Sequence, residues 1–526
     1  PVHHYSGYLD ATAGCDTETN GEFCKLHYWF APSTVVPKDS PVVLWLNGGP
    51  GSSSVLGFLQ ELGPFLLNST GGLMENPWAW TNVAHVLVME SPIGVGYSYC
   101  ANQLKGKTCK NTDRYTASAM RAALVDFFSN KFPEYAENRF YITGESYAGI
   151  YVPTLTKEVL DNAPSINLRG IAVGDPCTDN EAQKNAFDPL WYGYKYGLVD
   201  EGTFDLLWNK CEARFSPWMM RKNKTRPAKK QIIAATGEIE NEDEDEMPFQ
   251  LGRMTDECML AARRFMLSSS KGLSQSWKDM FIDDYSLFAP VSSDEDDDMA
   301  VFMNRPDVKK ALHVEETPIT SWPSPDVGFD YTSEYNACNA DPVDQRSMVD
   351  FYREIAPQLD NVWVYNGDTD PCVTYEGTRT AIARVGFPEI DGGGYRPWFY
   401  NQTAAPLDFI AEKAPLFGPN LLVVPMGAQF GGEIVNYENN LSFLTIHGSG
   451  HMVPQFRPQA ALHMLTKLLN NEPLSPLLPS NATITNASGR SFQKMMDKWT
   501  ESAKTAPFVD EIEHGKEAKV AVSAQA

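Results

Sequence analysis

Gly144-Glu145-Ser146-Tyr147-Ala148-Gly149 sits between two runs of opposite character. Before it, Arg139-Phe140-Tyr141-Ile142-Thr143 is short, apolar and rich in strand formers. After it, Ile150–Asn162 reads as a helix with Pro153 in its first turn. A strand, a tight turn of small residues and a helix form the setting in which a serine Oγ is lifted clear of a sheet. The general pattern places glycine two positions after the serine. Here Ala148 holds that position and Gly149 follows, and alanine is small enough to leave the turn feasible. A serine among small residues is more often an ordinary turn. Its reading therefore depends on partners elsewhere in the chain.

Strands alternate with helices on both sides of this turn. Leu26-His27-Tyr28-Trp29-Phe30 and Val42-Val43-Leu44-Trp45-Leu46 read as strands, the second apolar enough to be buried on both faces. It runs into Asn47-Gly48-Gly49-Pro50-Gly51-Ser52-Ser53-Ser54, a loop able to present backbone N–H groups to an anion. Val83–Glu90 is a further strand, and Tyr115–Lys131 carries Ala119, Ala123 and Phe127 at helical spacing. Later, Leu168–Val173 closes at Gly174-Asp175-Pro176, and Asn361–Tyr365 leads to Asn366-Gly367-Asp368-Thr369-Asp370. Leu441–Ile446 ends in His447-Gly448-Ser449-Gly450-His451-Met452, with Arg457–Leu469 as the closing helix. Such alternation implies a mostly parallel central sheet with right-handed crossovers.

The character changes from about residue 180 to 300. Trp191–Trp208 is aromatic and helical in tendency, Arg221–Lys230 is basic, and Glu238–Glu246 and Asp294–Asp298 are dense acidic runs. The charged runs read as solvated loop. A sharper expectation is a surface loop open to proteolytic nicking, its ends held by Cys211 and Cys258. The expected organisation is an α/β core in two parts, 1–179 and 301–475, with a largely helical insertion or cap over 180–300. A tail follows over 476–526, in which Ser491–Lys504 reads as a helix docked through Phe492, Met496 and Trp499.

With 526 residues, 43% of them hydrophobic, the chain can bury a large core. A net charge of −24 argues against nucleic acid and anionic membrane as partners. No run approaches the roughly 18 apolar residues a membrane span needs. Cys15/Cys24 and Cys100/Cys109 bracket short polar loops and Cys211/Cys258 a long polar segment, so three disulfides are predicted. Cys177, Cys338 and Cys372 remain, and at least one thiol is expected free or joined between chains. Six N-glycosylation acceptors, Asn68, Asn223, Asn401, Asn440, Asn481 and Asn486, point with the cysteines to the secretory pathway. The opening Pro1-Val2-His3-His4 shows no apolar signal region and reads as a mature form.

Ser146, Asp370 and His451 follow one another in the chain order of the α/β-hydrolase triad, each just past a strand. The hydroxyl needs an imidazole to accept its proton, and the imidazole needs a carboxylate to fix its tautomer. Asp368 competes with Asp370 for that role. The second aspartate has the usual spacing, with two residues between it and Gly367, which leaves Asp368 to hydrogen-bond nearby backbone. His451 gains from its loop position over His447.

Five motifs in order now carry a resemblance: Leu46-Asn47-Gly48-Gly49-Pro50-Gly51, Glu61-Leu62-Gly63-Pro64, Gly144-Glu145-Ser146-Tyr147-Ala148-Gly149, Gly367-Asp368-Thr369-Asp370 and Gly450-His451-Met452-Val453-Pro454. The chain resembles the serine carboxypeptidase family that contains carboxypeptidase Y, cathepsin A and the wheat enzymes, over about residues 5–475. The resemblance implies an α/β-hydrolase fold and the removal of single C-terminal residues from peptides and proteins at acidic pH through an acyl-enzyme. It implies no metal and no cofactor. It also implies the backbone N–H groups of Gly49 and Tyr147 as oxyanion hole, and Asn47, Gly48, Glu61 and Glu145 as the clamp for the substrate's terminal carboxylate. Two glutamates facing a third carboxylate repel when all are ionised, but shared protons turn that repulsion into short hydrogen bonds.

Three departures stand out. Ser52 replaces a cysteine common in the family's Pro-Gly-Cys-Ser-Ser loop, which leaves that cysteine's usual partner among the unpaired ones. Cys372 lies two residues after Asp370, near where some members carry a free thiol. Met452, where the wheat type has an acidic residue, gives an apolar wall beside the leaving residue. The rival readings are an acyltransferase on the same scaffold and a glycoprotein that stabilises partner hydrolases. A secreted or vacuolar/lysosomal location and a homodimer are the corresponding expectations of place and assembly.

Overall fold

Val42–Leu46 is buried at every position, and its side chains alternate between two cores: Val42, Leu44 and Leu46 face one, Val43 and Trp45 the other. Phe140 and Ile142 oppose Tyr141 in the same way, and Val362 and Val364 oppose Trp363 and Tyr365. This two-sided burial is what a strand inside a helix-covered parallel sheet requires, because successive side chains point to opposite faces. Each fully buried aliphatic side chain contributes about 1.5–3 kcal/mol. The computed structural model describes residues 3–215, 230–232, 239–241, 251–272, 276–280, 286, 295–315, 317–323, 329–417 and 426–505. The basic stretch at 221–229, most of the acidic run at 238–246, the nicked loop expected there and Asn223 lie outside these residues.

Eleven strands form the central sheet. The ten longer ones are β1 (Tyr5–Asp10), β2 (Cys24–Ala31), β3 (Val42–Leu46), β4 (His85–Met89), β5 (Phe140–Glu145), β6 (Leu168–Gly174), β7 (Asn361–Gly367), β8 (Arg396–Gln402), β9 (Gly427–Asn436) and β10 (Leu441–Ile446). Tyr99–Cys100 adds a short partner to β2. The spatial order is β1-β2-β4-β3-β5-β6-β7-β10-β9-β8. From β4 to β10 the pairings are parallel, while β1, β2, β8 and β9 are antiparallel margins. The residues that follow β3, β5, β6, β7 and β10 therefore all emerge along one edge of the sheet. This is the mostly parallel α/β-hydrolase architecture that the motif order implies.

Several helices cover one face, among them Met348–Ile355 and Tyr375–Ala383. α1 (Asp113–Asp126) packs Ala119, Met120, Ala123 and Leu124, and α2 (Ala148–Asn162) packs Ile150, Tyr151, Leu155 and Val159. Thr112 caps the first, its Oγ accepting from the Tyr115 N–H. The other face is covered by the helix Pro458–Asn470 through Ala461, Met464, Leu465 and Leu468. α2 starts two residues earlier than the sequence suggests, because Gly149 N–H and Ile150 N–H already close on the carbonyls of Ser146 and Tyr147. Pro153 thus lies inside the helix and not in its first turn, and removes one helical hydrogen bond there.

Between β6 and β7 the chain leaves the sheet. Helices Pro189–Lys195 and Asp256–Ser269 share a small separate core of Leu190, Leu207, Cys211, Cys258 and Phe265. The chain rejoins the sheet core at Met299, Phe302 and Met303. Disulfides join Cys15 to Cys24, Cys100 to Cys109 and Cys211 to Cys258. Cys177 and Cys338, left over by local spacing, are bonded to each other across 161 residues. Cys372 stands outside the four bridges. Asn440, Asn481 and Asn486 are exposed and Asn68 and Asn401 half-buried, with the Asn440 amide donating to the Leu359 carbonyl. The tail helix Gly489–Thr505 docks mainly through Trp499, which donates to the Leu477 carbonyl, while Phe492 stays exposed.

Candidate active site

The turn after β5 is held open by its own backbone. Ser146 takes φ 63°, a left-handed conformation that costs a non-glycine residue energy and persists only when its surroundings fix it. Here its N–H donates to the Gly174 carbonyl at 3.0 Å, and its carbonyl accepts from Gly149 N–H at 2.8 Å and Cys177 N–H at 3.0 Å. The position of Ala148 is explained by Gly144. A Cβ on Gly144 falls 2.8 Å from the Ala148 Cβ and 2.4 Å from the Leu46 carbonyl. The space a second glycine usually leaves is supplied from the strand side. Gly48 lies directly on the turn, since a Cβ there meets the Tyr147 nitrogen at 2.3 Å. The loop after β3 and the turn after β5 are thus in backbone contact.

Two histidine–aspartate pairs come from the loops after β7 and β10. His451 Nδ1 lies 2.8 Å from Asp370 Oδ2, with side-chain exposures of 4% and 0%. Asp370 Oδ1 accepts from Cys372 N–H at 2.7 Å, so both its oxygens are engaged. Thr369 ties the two loops, its N–H and Oγ1–H both donating to the Ser449 carbonyl. The second pair, His447 Nδ1 and Asp368 Oδ2, is equally short at 2.7 Å but has exposures of 58% and 24%. Asp368 also accepts from Gly448 N–H at 2.6 Å, and its hydrogen bond to His447 raises the imidazole pKa.

On the other side of the serine, Asn47 faces two buried glutamates. Its Oδ1 accepts from Trp45 Nε1–H and Gly57 N–H, which fixes the amide orientation. Its Nδ2 then donates to Glu145 Oε1 at 2.9 Å and Glu61 Oε1 at 3.3 Å. Both carboxyls are almost fully buried, and the Oε2 atom of each lacks a donor from elsewhere in the protein. Burial pushes Glu61 up to about 7. Burial and then the Glu61 charge push Glu145 well above the usual carboxylate range. Both shifts favour a protonated carboxyl within the pair.

Tyr147, next to the serine, is anchored by a residue the sequence reading passed over. Its hydroxyl donates to Asp113 Oδ1 at 2.9 Å, which Tyr331 also reaches at 2.7 Å. Asp113 Oδ2 accepts from Glu334 N–H and Tyr335 N–H, so one buried carboxylate joins Tyr147 to the 331–335 segment. In the sequence, Asp113 reads only as an acidic residue opening a helix. Met452, half-buried, follows His451 directly. Among the described residues, one trio of acidic and histidine side chains has converging atoms: Asp175, Asp370 and His451, mutually within 4.8 Å. The His451–Asp370 hydrogen bond uses one atom of each of those two residues.

This geometry defines an α/β-hydrolase with a buried Asp–His pair and a strained serine turn on one sheet edge. The description "serine carboxypeptidase" is that of the family model matching residues 1–471. The chain is 30% identical to serine carboxypeptidase-like 20 of Arabidopsis thaliana, with 89% of this chain and 90% of that protein covered. It is 31% identical to the lysosomal protective protein of Mus musculus, again over 89% and 90%. Among solved structures, the prohormone-processing carboxypeptidase Kex1 of Saccharomyces cerevisiae shares the fold, with a TM-score of 0.60 at 18% identity over 89% of this chain and 91% of that one. The chain belongs to the serine carboxypeptidase family.

Proposed function

We propose that the protein releases single C-terminal residues from peptides and proteins at acidic pH through an acyl-enzyme on Ser146. The observation that carries this reading is the set of Asn47, Glu61 and Glu145 beside the serine. A buried acid pair with a shared proton and an oriented amide suits a substrate's terminal carboxylate and little else. Below about 7 Glu61 is protonated and can donate to that carboxylate. Above it, Glu61 ionises and its charge opposes the same group.

In the proposed cycle, His451 accepts the Ser146 proton as Oγ attacks the scissile carbonyl. Asp370 holds the imidazole through Nδ1–H. The N–H groups of Gly49 and Tyr147 receive the oxyanion, and the Asp113 tether keeps Tyr147 in place for that task. The C–N bond then breaks, His451 returns the proton to the departing amine, and water repeats the sequence on the ester. Met452 gives the leaving residue an apolar neighbour. Four disulfides suit an oxidising compartment and a secreted or vacuolar/lysosomal location. No helix of the described residues is long and apolar enough to cross a membrane.

The test pairs product mass spectrometry with a pH series. Matched peptides ending in a free acid should lose one residue at a time, with KM rising as pH passes through about 7. The corresponding amides should show no such rise. Equal pH-independent KM for acids and amides, or cleavage inside the chain, overturns the reading.

A further inference from the structure

A second buried acid lies behind the triad and has no part in the cycle above. Asp175 follows β6, is fully buried, and takes a left-handed φ of 45°. Its backbone N–H donates to the Tyr365 carbonyl at 2.8 Å. Its Oδ1 accepts from Asn366 Nδ2–H and Gly367 N–H, each at 2.9 Å. Those contacts orient the carboxyl with its other oxygen, Oδ2, buried and without any donor. The side chain touches Asp370 and lies within 4.8 Å of the His451 ring nitrogen nearest it. The titratable groups facing it are Asp370 after β7, Glu145 at the end of β5, His451 after β10 and Tyr365 on β7.

Counting hydrogens at this contact assigns a proton. Asp370 Oδ2 accepts from His451 and Oδ1 from Cys372 N–H, so both its oxygens are acceptors. Asp175 Oδ1 accepts twice, and only Oδ2 is left. A general base requires neutral imidazole, and two adjacent buried carboxylates beside a neutral ring would carry two uncompensated charges. We infer that Asp175 is a positioning residue for the Ser146–His451–Asp370 reaction: a buried carboxylic acid whose Oδ2–H donates to Asp370. This inference rests on the proposed role of that triad. Burial, and then the charge of Asp370, push the Asp175 carboxyl well above the usual carboxylate range.

The proton has two effects. It fixes the plane of the Asp370 carboxylate, and it withdraws part of the negative charge that Asp370 presents to the imidazole. Without a donor at this point, the full charge bears on His451, its protonated form is favoured, and the acid limb of kcat moves to higher pH. A neutral amide in place of the acid supplies an N–H donor and leaves the charge count unchanged.

The experiment compares wild type, Asp175→Asn and Asp175→Ala. Asp175→Asn should keep kcat within about threefold, with the acid limb of kcat unmoved. Asp175→Ala should lose kcat by about 10–100-fold, raise the acid limb and leave KM for peptide acids unchanged, because the clamp lies on the other side of the serine. An infrared difference spectrum of wild type minus Asp175→Asn, at a pH where surface carboxyls are ionised, should contain a protonated-carboxyl C=O band. An acid limb that falls in Asp175→Asn, or the absence of that band, means Asp175 is a carboxylate and overturns the inference. Should Asp175→Ala fail to fold, the asparagine profile and the infrared band still decide. The band reports the proton whether or not Ser146 is the nucleophile. Fluorophosphonate labelling of wild-type Ser146 tests that separate reading.

Discussion

His451–Asp370 and His447–Asp368 come from the same two loops, sit four and two residues apart in sequence, and have hydrogen bonds of 2.8 and 2.7 Å. By bond length they are the same object. They differ in burial, and in what else each aspartate holds. Asp370 is sealed in, its second oxygen bound by a backbone N–H and its far side backed by Asp175. Asp368 is a surface partner that also caps the Gly448 N–H, with its histidine half in solvent. A third pair, His27–Glu90, is fully buried at 2.8 Å and even meets a serine, Ser6, but that hydroxyl donates to the Leu312 carbonyl and the group braces the fold with Ser53 and Trp322. A short His–carboxylate bond is therefore common here. Burial joined to a strained serine turn is what singles out one of the three.

Substitutions can break this comparison. The largest effect falls on the histidines: His451→Gln should lower kcat/KM by about 10⁴-fold or more, against about twofold or less for His447→Gln. Steady-state rates on one peptide acid measure both. Next come the aspartates. Asp370→Asn should cost about 10⁴ in kcat through the wrong imidazole tautomer, while Asp368→Asn stays within a few-fold. Comparable losses in the two series would remove the distinction.

A third substitution sharpens the role of burial in the other acid pair. Glu61→Gln should flatten the rise of KM for peptide acids through about pH 7, because an amide donates at any pH. KM below that pH should change by about tenfold or less, equivalent to one ordinary neutral hydrogen bond. A variant whose KM still climbs like wild type would place the titrating group elsewhere.

The smallest effect is on stability. The hydrogen bond to Asp368 raises the His447 pKa, so the pair stabilises the fold below the ordinary histidine value of about 6.5. That contribution disappears as pH rises through the folded-state value. For a pair this exposed it amounts to about 0.2–1 kcal/mol. Thermal melts of wild type and His447→Gln should differ slightly at acidic pH and converge above neutrality, with the difference shrinking in salt.

The sheet was legible because its inner strands are buried on both faces. Val42–Leu46 is a continuous apolar run and Leu168–Val173 and Leu441–Ile446 are mostly apolar, each ending in a loop with recognisable residues. The margins were not. β1 mixes glycine and polar residues, and β8 contains Pro397, which a strand tolerates only at an edge. The candidates Ser146, Asp370 and His451 came from order and spacing, and the preference for Asp370 over Asp368 from its distance to Gly367. The Cys177–Cys338 bridge could not be read that way, since 161 residues of separation leave no local signal. Asp175 and Asp113 were hidden for a related reason. One reads as a turn after a strand and the other as a helix opener, and only packing brings them to Asp370 and Tyr147.

One measurement reaches the central claim directly: labelling by a fluorophosphonate, with the modified residue mapped by mass spectrometry, in wild type, His447→Gln and His451→Gln. A single label on Ser146 is expected, formed at the same rate in wild type and His447→Gln and abolished in His451→Gln. A label on another residue, or loss of labelling in His447→Gln with retention in His451→Gln, would contradict it.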